Sequence, residues 1–394
     1  MLTLRRWAIP LLLAAALVPA GCAKRKTLSA EYDELGRRRD ALKAADVPDL
    51  QKRAQKGERD AQYLLAYVYL DGNAADENDE EGMRWMRAAA DAGYPHAEYD
   101  LGYLYAQGTG VARDPKEQAK WYRRAAEHGH PYAQYDLGDL YYYGDALDRD
   151  GAQAISWYRK AAEQGYAEAQ YALGYCYDEG DSVKADDAVA AYWYRKAAEQ
   201  GHDSAANNLG LLYLDGKGVL PNKETARQWF RKSAEKENVN GEFNLGLMYD
   251  DEDGLKPDYA EAAKWYRKAA EAGDARAQVN LSLMYRDGRG VAKDELESLR
   301  LLHLAAEQGQ AQALLRLGRI FHDGEGVPQN NVEAYKWLYL ADKKGDATAK
   351  QELEKLRSEL KPVQRAEGER RAKSWIEQHR EQDYEDADDS QLQG

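Results

Sequence analysis

One spacing constrains this chain more than any other feature. Tryptophan stands at 85, 121, 157, 193, 229, 265 and 337 on a 36-residue period, with Leu301 in the remaining place. Glycine keeps the same period at 57, 93, 129, 165, 201, 273, 309 and 345, with Glu237 the exception. A Leu-Gly pair recurs at 101–102, 137–138, 173–174, 209–210, 245–246 and 317–318, each followed by an aromatic such as Tyr105, Tyr141 or Phe321. Self-similarity at a fixed period of this length means stacked units, because one unit buries its apolar face only against its neighbours.

Each period reads as two helices. Ala97, Leu101, Leu104 and Tyr105 share one face at helical spacing, and Gly102 lets a neighbouring helix approach closely. A turn from Gly108 to Val111 follows, then Asp114 as N-cap with Pro115 at the first helical position. The second helix carries Trp121, Ala125 and Ala126 and ends at Gly129. Trp85, Trp121, Trp157, Trp193, Trp229, Trp265 and Trp337 are expected to fill the core beside the small alanines. On that reading Trp193→Ala costs about 3–5 kcal/mol. The expected fold is all-α, a right-handed α-solenoid of eight 36-residue helix-turn-helix repeats with capping helices at both ends.

The quoted pattern, "LGYLYAQGTGV" at 101–111 and "WYRKAAEQG" at 157–165, resembles the Sel-one-like repeat, a relative of the tetratricopeptide repeat. The resemblance covers eight repeats over residues 58–345. The Gly-x-Gly-Val turn is intact in repeats 2, 5, 7 and 8 and altered in the other four.

The flanks differ from the array. Residues 1–21 combine Arg5 and Arg6, an apolar stretch from Ile9 to Val18 and small residues before Cys22, the layout of a secretory signal. The apolar run is too short to span a bilayer. Ala20-Gly21-Cys22 resembles a bacterial lipobox, with Pro19 where leucine is usual. That resemblance implies lipidation of Cys22 and, with Ala23 following, the periplasmic face of the outer membrane. Without the lipid the exported protein would be soluble in the periplasm or secreted. Residues 22–46 are expected to form a charged tether with a short helix around Tyr32 to Ala44, and 47–57 a capping helix. Residues 346–382 are expected to form two capping helices broken near Pro362, with Leu353, Leu356, Leu360, Trp375 and Ile376 inward. An acidic disordered tail is expected over 383–394.

Net charge is −14, or −16 once the first 21 residues are removed, which argues against nucleic acid as a partner. Cys22 and Cys176 are the only cysteines, so no disulfide framework exists, and Cys176 falls in an apolar column. A residue repeated in every unit is structural rather than catalytic. There is no H-E-x-x-H and no G-x-S-x-G. Ser233 and Lys236 match S-x-x-K, but inside a degenerate repeat copy and without the motifs that accompany it. His128 and His130 lack further ligands for a metal. Aligning Gly254 with the EF-hand glycine puts Tyr249 and Ala260 at ligand positions, so that motif fails too. No catalytic residue, cofactor or metal is expected.

What remains is surface. By analogy with tetratricopeptide repeats, the first helix of each pair lines a concave groove. The residue before Leu-Gly forms a column that includes Asp100, Asp136, Asn208, Asn244, Asn280 and Arg316. Neighbouring columns add Asp60, Asp139, Tyr103, Tyr142 and Tyr175 in the first half and Arg276, Arg286 and Arg319 late. Asparagine amides can hold a ligand's backbone, and tyrosine offers contact area at low entropic cost. The family resemblance implies a non-enzymatic adaptor, anchored in the bacterial envelope, that holds a segment of an envelope protein. Two other readings follow from related chains: an exopolysaccharide-secretion lipoprotein docking on an outer-membrane porin, and, remotely, a β-lactamase-like enzyme. The cysteine pair per repeat that marks the last branch is absent.

Overall fold

The computed structural model describes residues 28–70, 78–250 and 256–392. The signal-like segment, Cys22 and most of the acidic turn at 251–255 lie outside the described residues. Among the described residues there are twenty α-helices and no strand. The chain divides into two compact units after Gln164, between the third and fourth repeats.

The first unit contains α1 (Leu28–Asp40), a 3-10 turn (Ala44–Asp46), α2 (Val47–Gln55), and the helix pairs α3 (Arg59–Leu70) with α4 (Asp79–Asp91), α5 (Pro95–Gln107) with α6 (Pro115–Glu127), and α7 (Pro131–Tyr143) with α8 (Gly151–Glu163). The second contains the pairs α9 (Ala167–Glu179) and α10 (Asp187–Glu199), α11 (Asp203–Asp215) and α12 (Lys223–Ala234), α13 (Val239–Asp250) and α14 (Tyr259–Glu271), α15 (Ala275–Asp287) and α16 (Glu295–Glu307), and α17 (Ala311–Asp323) and α18 (Asn331–Lys343), closed by α19 (Ala347–Glu359) and α20 (Pro362–Leu392).

Helix length is set by caps. Every second helix of a pair starts on an Asn or Asp whose side chain accepts backbone N–H groups of the first turn; these are Asn78, Asp114, Asp150, Asp186, Asn222, Asp258, Asp294 and Asn330. The expected Asp114–Pro115 start is one of eight equivalent ones. After α6 the cap is His128, and Gly129 follows in the left-handed region, with His130 N–H donating to Ala125 O at 2.9 Å. Glu237 takes the same backbone conformation, φ 62°, in the period that lacks glycine.

Each letter of WYRKAA has a distinct task. The residue after the tryptophan, rather than the tryptophan, is the one buried throughout: Tyr122, Tyr158, Tyr194, Phe230, Tyr266, Leu302 and Leu338 are all at most 4% exposed. In six of the eight repeats this side chain lies in the notch left by the Leu-Gly glycine. A Cβ added at Gly174 would sit 2.7 Å from Tyr194 Cδ1, and at Gly210 2.6 Å from Phe230 Cε1. Trp121, Trp265 and Trp337 are buried, but Trp85, Trp157, Trp193 and Trp229 are half-buried. The tryptophan column is therefore a partial lid and not the uniform core filler expected. The rings of Trp121, Trp157, Trp229 and Trp265 are covered by a cation three residues on, with Lys160 Nζ 3.5 Å from the Trp157 centroid and Lys232 Nζ 4.0 Å from that of Trp229. The arginine two residues after the tryptophan reaches the next repeat: Arg123 donates to Tyr141 Oη at 2.9 Å, Arg195 to Tyr213 at 2.7 Å and Arg267 to Tyr285 at 3.0 Å. The paired alanines, such as Ala161 and Ala162, are buried.

The ends depart from expectation. The N-terminal helix spans Leu28–Asp40 instead of Tyr32 to Ala44, and it packs on α3 and α7. Leu35 is buried, Arg38 Nη2 lies 3.7 Å from Asp60, and the Arg39 guanidinium stands 4.7 Å above the Tyr67 ring. From Leu28 onward this segment is docked structure rather than a loose tether. At the other end α20 carries helical backbone on to Leu392, where disorder from Asp383 was expected; no glycine or proline interrupts it after Gly368. Leu353, Leu356, Leu360 and Trp375 are buried and Ile376 packs against them, as the apolar spacing predicts. Cys176 is buried.

Candidate interaction surfaces

In the first unit the acidic residues of the first helices are held by tyrosines of the fold. Asp100, 4% exposed, accepts hydrogen bonds from Tyr63 Oη at 2.6 Å and Tyr67 Oη at 2.8 Å. It is an internal link between α3 and α5, not a groove residue open to a ligand. Asp139 accepts from Tyr158 Oη at 2.6 Å, and burial raises its pKa. Asp136 is half-buried; burial pushes its carboxyl up to about 7 against a hydrogen bond from Tyr99, with the charge of Asp139 adding to the rise. Tyr142 is half-buried, edge-on to Tyr143, whereas Tyr103 is half exposed. Because α1 packs on α3 and α7, part of this face is already covered by the chain itself.

Beside Tyr99, which hydrogen-bonds Asp136, lies a buried pair of histidines, His96 and His130, of which sequence reading singled out only His130, and only as lacking further metal ligands. Their rings are 5.1 Å apart, His130 stacks on Tyr99 at 4.7 Å, and both are buried. Burial holds His96 down to about 4 and His130 to about 3, the latter helped by His96. Below pH 6.5 the unfolded chain gains protons at these sites while the folded chain does not, so each histidine removes about 1.4 kcal/mol of stability per pH unit down to its folded value. Asp136 acts oppositely. Its folded form binds a proton near pH 7 and its unfolded form only near 3.8, so it adds stability as pH falls through that window. Asp136→Asn is therefore expected to make the loss of stability between pH 6.5 and 4 steeper, by up to about 1.4 kcal/mol per pH unit. Urea unfolding of both proteins across pH 4–8 reads this directly, and parallel curves would overturn it.

In the second unit the corresponding column is made of amides. Asn208 donates to Tyr194 Oη at 3.2 Å, Asn280 hydrogen-bonds Tyr266, and Asn244 donates to Asn207 Oδ1 at 2.8 Å. The asparagines expected to hold a ligand's backbone are thus partly engaged in joining repeats, although each amide has further donor and acceptor capacity. Three positions farther on, just after the Leu-Gly pair, the side chains are large, apolar and open: Tyr175 is 40%, Leu211 37% and Leu247 40% exposed. Leu283 continues this 36-residue column half-buried, and Arg319 ends it. Arg276 stands apart from the other late arginines, pairing with Asp274 and Asn240 and lying 4.3 Å over Phe243. Arg286, Arg316 and Arg319 converge on one hollow.

These units define an all-helical repeat scaffold of the kind typical of protein–protein interaction. The Sel1 repeat model matches eight consecutive segments, 59–94, 95–130, 131–166, 167–202, 203–238, 239–274, 275–310 and 311–346, and the chain belongs to the Sel1 repeat family. The crystal structure of a Sel1 repeat protein from Oxalobacter formigenes is similar, with 30% identity and a TM-score of 0.62, over 86% of this chain and 98% of that one. The uropathogenic Escherichia coli protective antigen c5321, which displays an SLR fold, is 28% identical over 84% of this chain and 94% of its own, with a TM-score of 0.35. A Klebsiella pneumoniae protein described as a sel1 repeat protein is 22% identical over 51% of this chain and 98% of its own, with a TM-score of 0.35. No curated protein sequence matches the chain.

Proposed function

We propose that this protein is a non-enzymatic scaffold, held at the periplasmic face of the outer membrane by a lipid on Cys22, that binds an extended segment of an envelope protein on the first-helix face of its second unit. The observation that carries the reading is the open column Tyr175, Leu211 and Leu247, large apolar side chains exposed at the same register of successive repeats. Regularly exposed apolar groups on a rigid helical face suit partner binding better than solvation. The first unit is less suited, since its acids serve Tyr63, Tyr67 and Tyr158 and α1 lies against α3 and α7.

The anchor fits the same reading. The start of α1 at Leu28 is six positions after Cys22, a reach of roughly 20 Å when extended. A lipid there would keep the first unit close to the bilayer.

Photo-crosslinking in intact cells tests the proposal. A crosslinking residue at Leu211 or Leu247 is expected to trap one envelope protein, and Cys22→Ala to weaken that capture. The same residue at Glu199 or Lys232, exposed on second helices, is expected to trap none. Capture from the second-helix positions alone, or from neither set, would remove the assigned face.

A further inference from the structure

We propose that Arg286, Arg316 and Arg319 seat the terminal carboxylate of the partner chain, with the partner's last side chain, an apolar one, in the hollow beside them. This rests on the scaffold reading above and names the end of the segment it binds.

The argument starts from a substitution within the repeat. Two asparagines of this column meet the tyrosine that follows the preceding repeat's tryptophan, Asn208 with Tyr194 and Asn280 with Tyr266, while Asn244, whose preceding repeat carries Phe230 at that place, donates to Asn207. In the eighth repeat the polar residue is Arg316 and the tyrosine's place is taken by Leu302, which accepts nothing. Among the described residues Arg316 makes no hydrogen bond or ion pair. The acid acting on it, Asp287, is already held by Arg286 at 2.7 and 3.1 Å, while Arg319 is bound to Glu352 at 2.6 Å. Its guanidinium, half-buried and without an acceptor on the protein, keeps its N–H groups within reach of solvent and so of an arriving anion. Burial, then the like charges of Arg286 and Arg319, press its pKa down, an arrangement that an arriving anion relieves.

The hollow selects among anions. It measures about 120 Å³ and is walled by Leu283, Leu302 and Ile320 beside the three arginines. Phosphate brings no apolar part to such walls, and an internal acidic side chain brings its carboxylate without a second side chain alongside. Glu325 also lines the hollow, so a singly charged carboxylate suits it better than a doubly charged phosphate. Leu283 and Arg319 belong to the column of Leu211 and Leu247, so a segment lying along that column is led to the three arginines. Guanidinium–carboxylate pairing supplies the directional contact.

Fluorescence polarisation on the purified full chain tests this with labelled peptides of one Gly/Ser/Ala/Leu sequence ending in each apolar residue, each made as the free acid and as the amide. At least one free acid is expected to bind about tenfold more tightly than its amide. Arg316→Gln is expected to erase that preference without changing the thermal melt, and Arg276→Gln to leave it intact. Equal binding of acid and amide, absence of binding by any peptide, or equally effective displacement by millimolar inorganic phosphate would each overturn the proposal. Crosslinks retained at Leu211 and Leu247 alongside such a result would leave the scaffold reading standing and sink only the carboxylate seat.

Discussion

Truncation of Tyr194 to alanine is expected to destabilise the second unit by about 3–5 kcal/mol, and truncation of its neighbour Trp193 by only about 1–2 kcal/mol. Tyr194 has no exposed surface, and its ring lies against Gly174 so closely that no Cβ fits between them. Removing the ring opens a cavity that two helices cannot close without losing register. Trp193 is half-buried, so much of its surface is already wet. Phe230 occupies the equivalent place without a hydroxyl, which means the ring supplies most of the effect; Tyr194→Phe should cost about 1 kcal/mol, the value of a hydrogen bond. Chemical unfolding of the three variants ranks them. A Trp193→Ala protein as unstable as Tyr194→Ala would refute this division of labour.

Asp100→Lys is the second large effect, expected at about 3–5 kcal/mol and concentrated in the first unit. The carboxylate is buried and accepts from two phenols of the preceding repeat, so an ammonium in its place is desolvated and removes the acceptor both phenol O–H groups use. Asp100→Asn retains an acceptor and should be milder. From sequence alone, charge reversal at Asp100 and Asp136 looks like a clean probe of a groove; the contacts of Asp100 make it a folding mutant instead. Calorimetry decides, and an unchanged melting profile for Asp100→Lys would reject the internal-link assignment.

The period, the helix pairs and their Asp114-type starts were legible because they depend on local propensity and on spacings within one helix. The assignment of burial between Trp193 and Tyr194 was not. Adjacent residues on a helix point about 100° apart, and only the glycine notch on the facing helix decides which one turns inward. The role of Asp100 depends on residues 33 and 37 positions earlier in the chain, which no single repeat reveals. Docking of α1 through Leu35, Arg38 and Arg39 is likewise a long-range match between a short charged helix and side chains of the first repeat. The late arginines were visible as a basic cluster, but the separation of Arg276 from the other three required knowing which acids each one meets. A signal for Arg316 was present: leucine after the tryptophan position of the seventh repeat, Leu302, is followed by arginine before Leu-Gly in the eighth.

The glycine and the ring it receives always lie within one 36-residue period, as Gly102 with Tyr122, Gly138 with Tyr158 and Gly246 with Tyr266. The interlock is therefore inherited whole whenever a period is copied. An in-frame duplication or loss of one complete period leaves every remaining ring beside its own glycine, whereas a slip by a fraction of a period parts them. Chains of this construction can change length over generations only in whole steps, and each step carries its own packing with it.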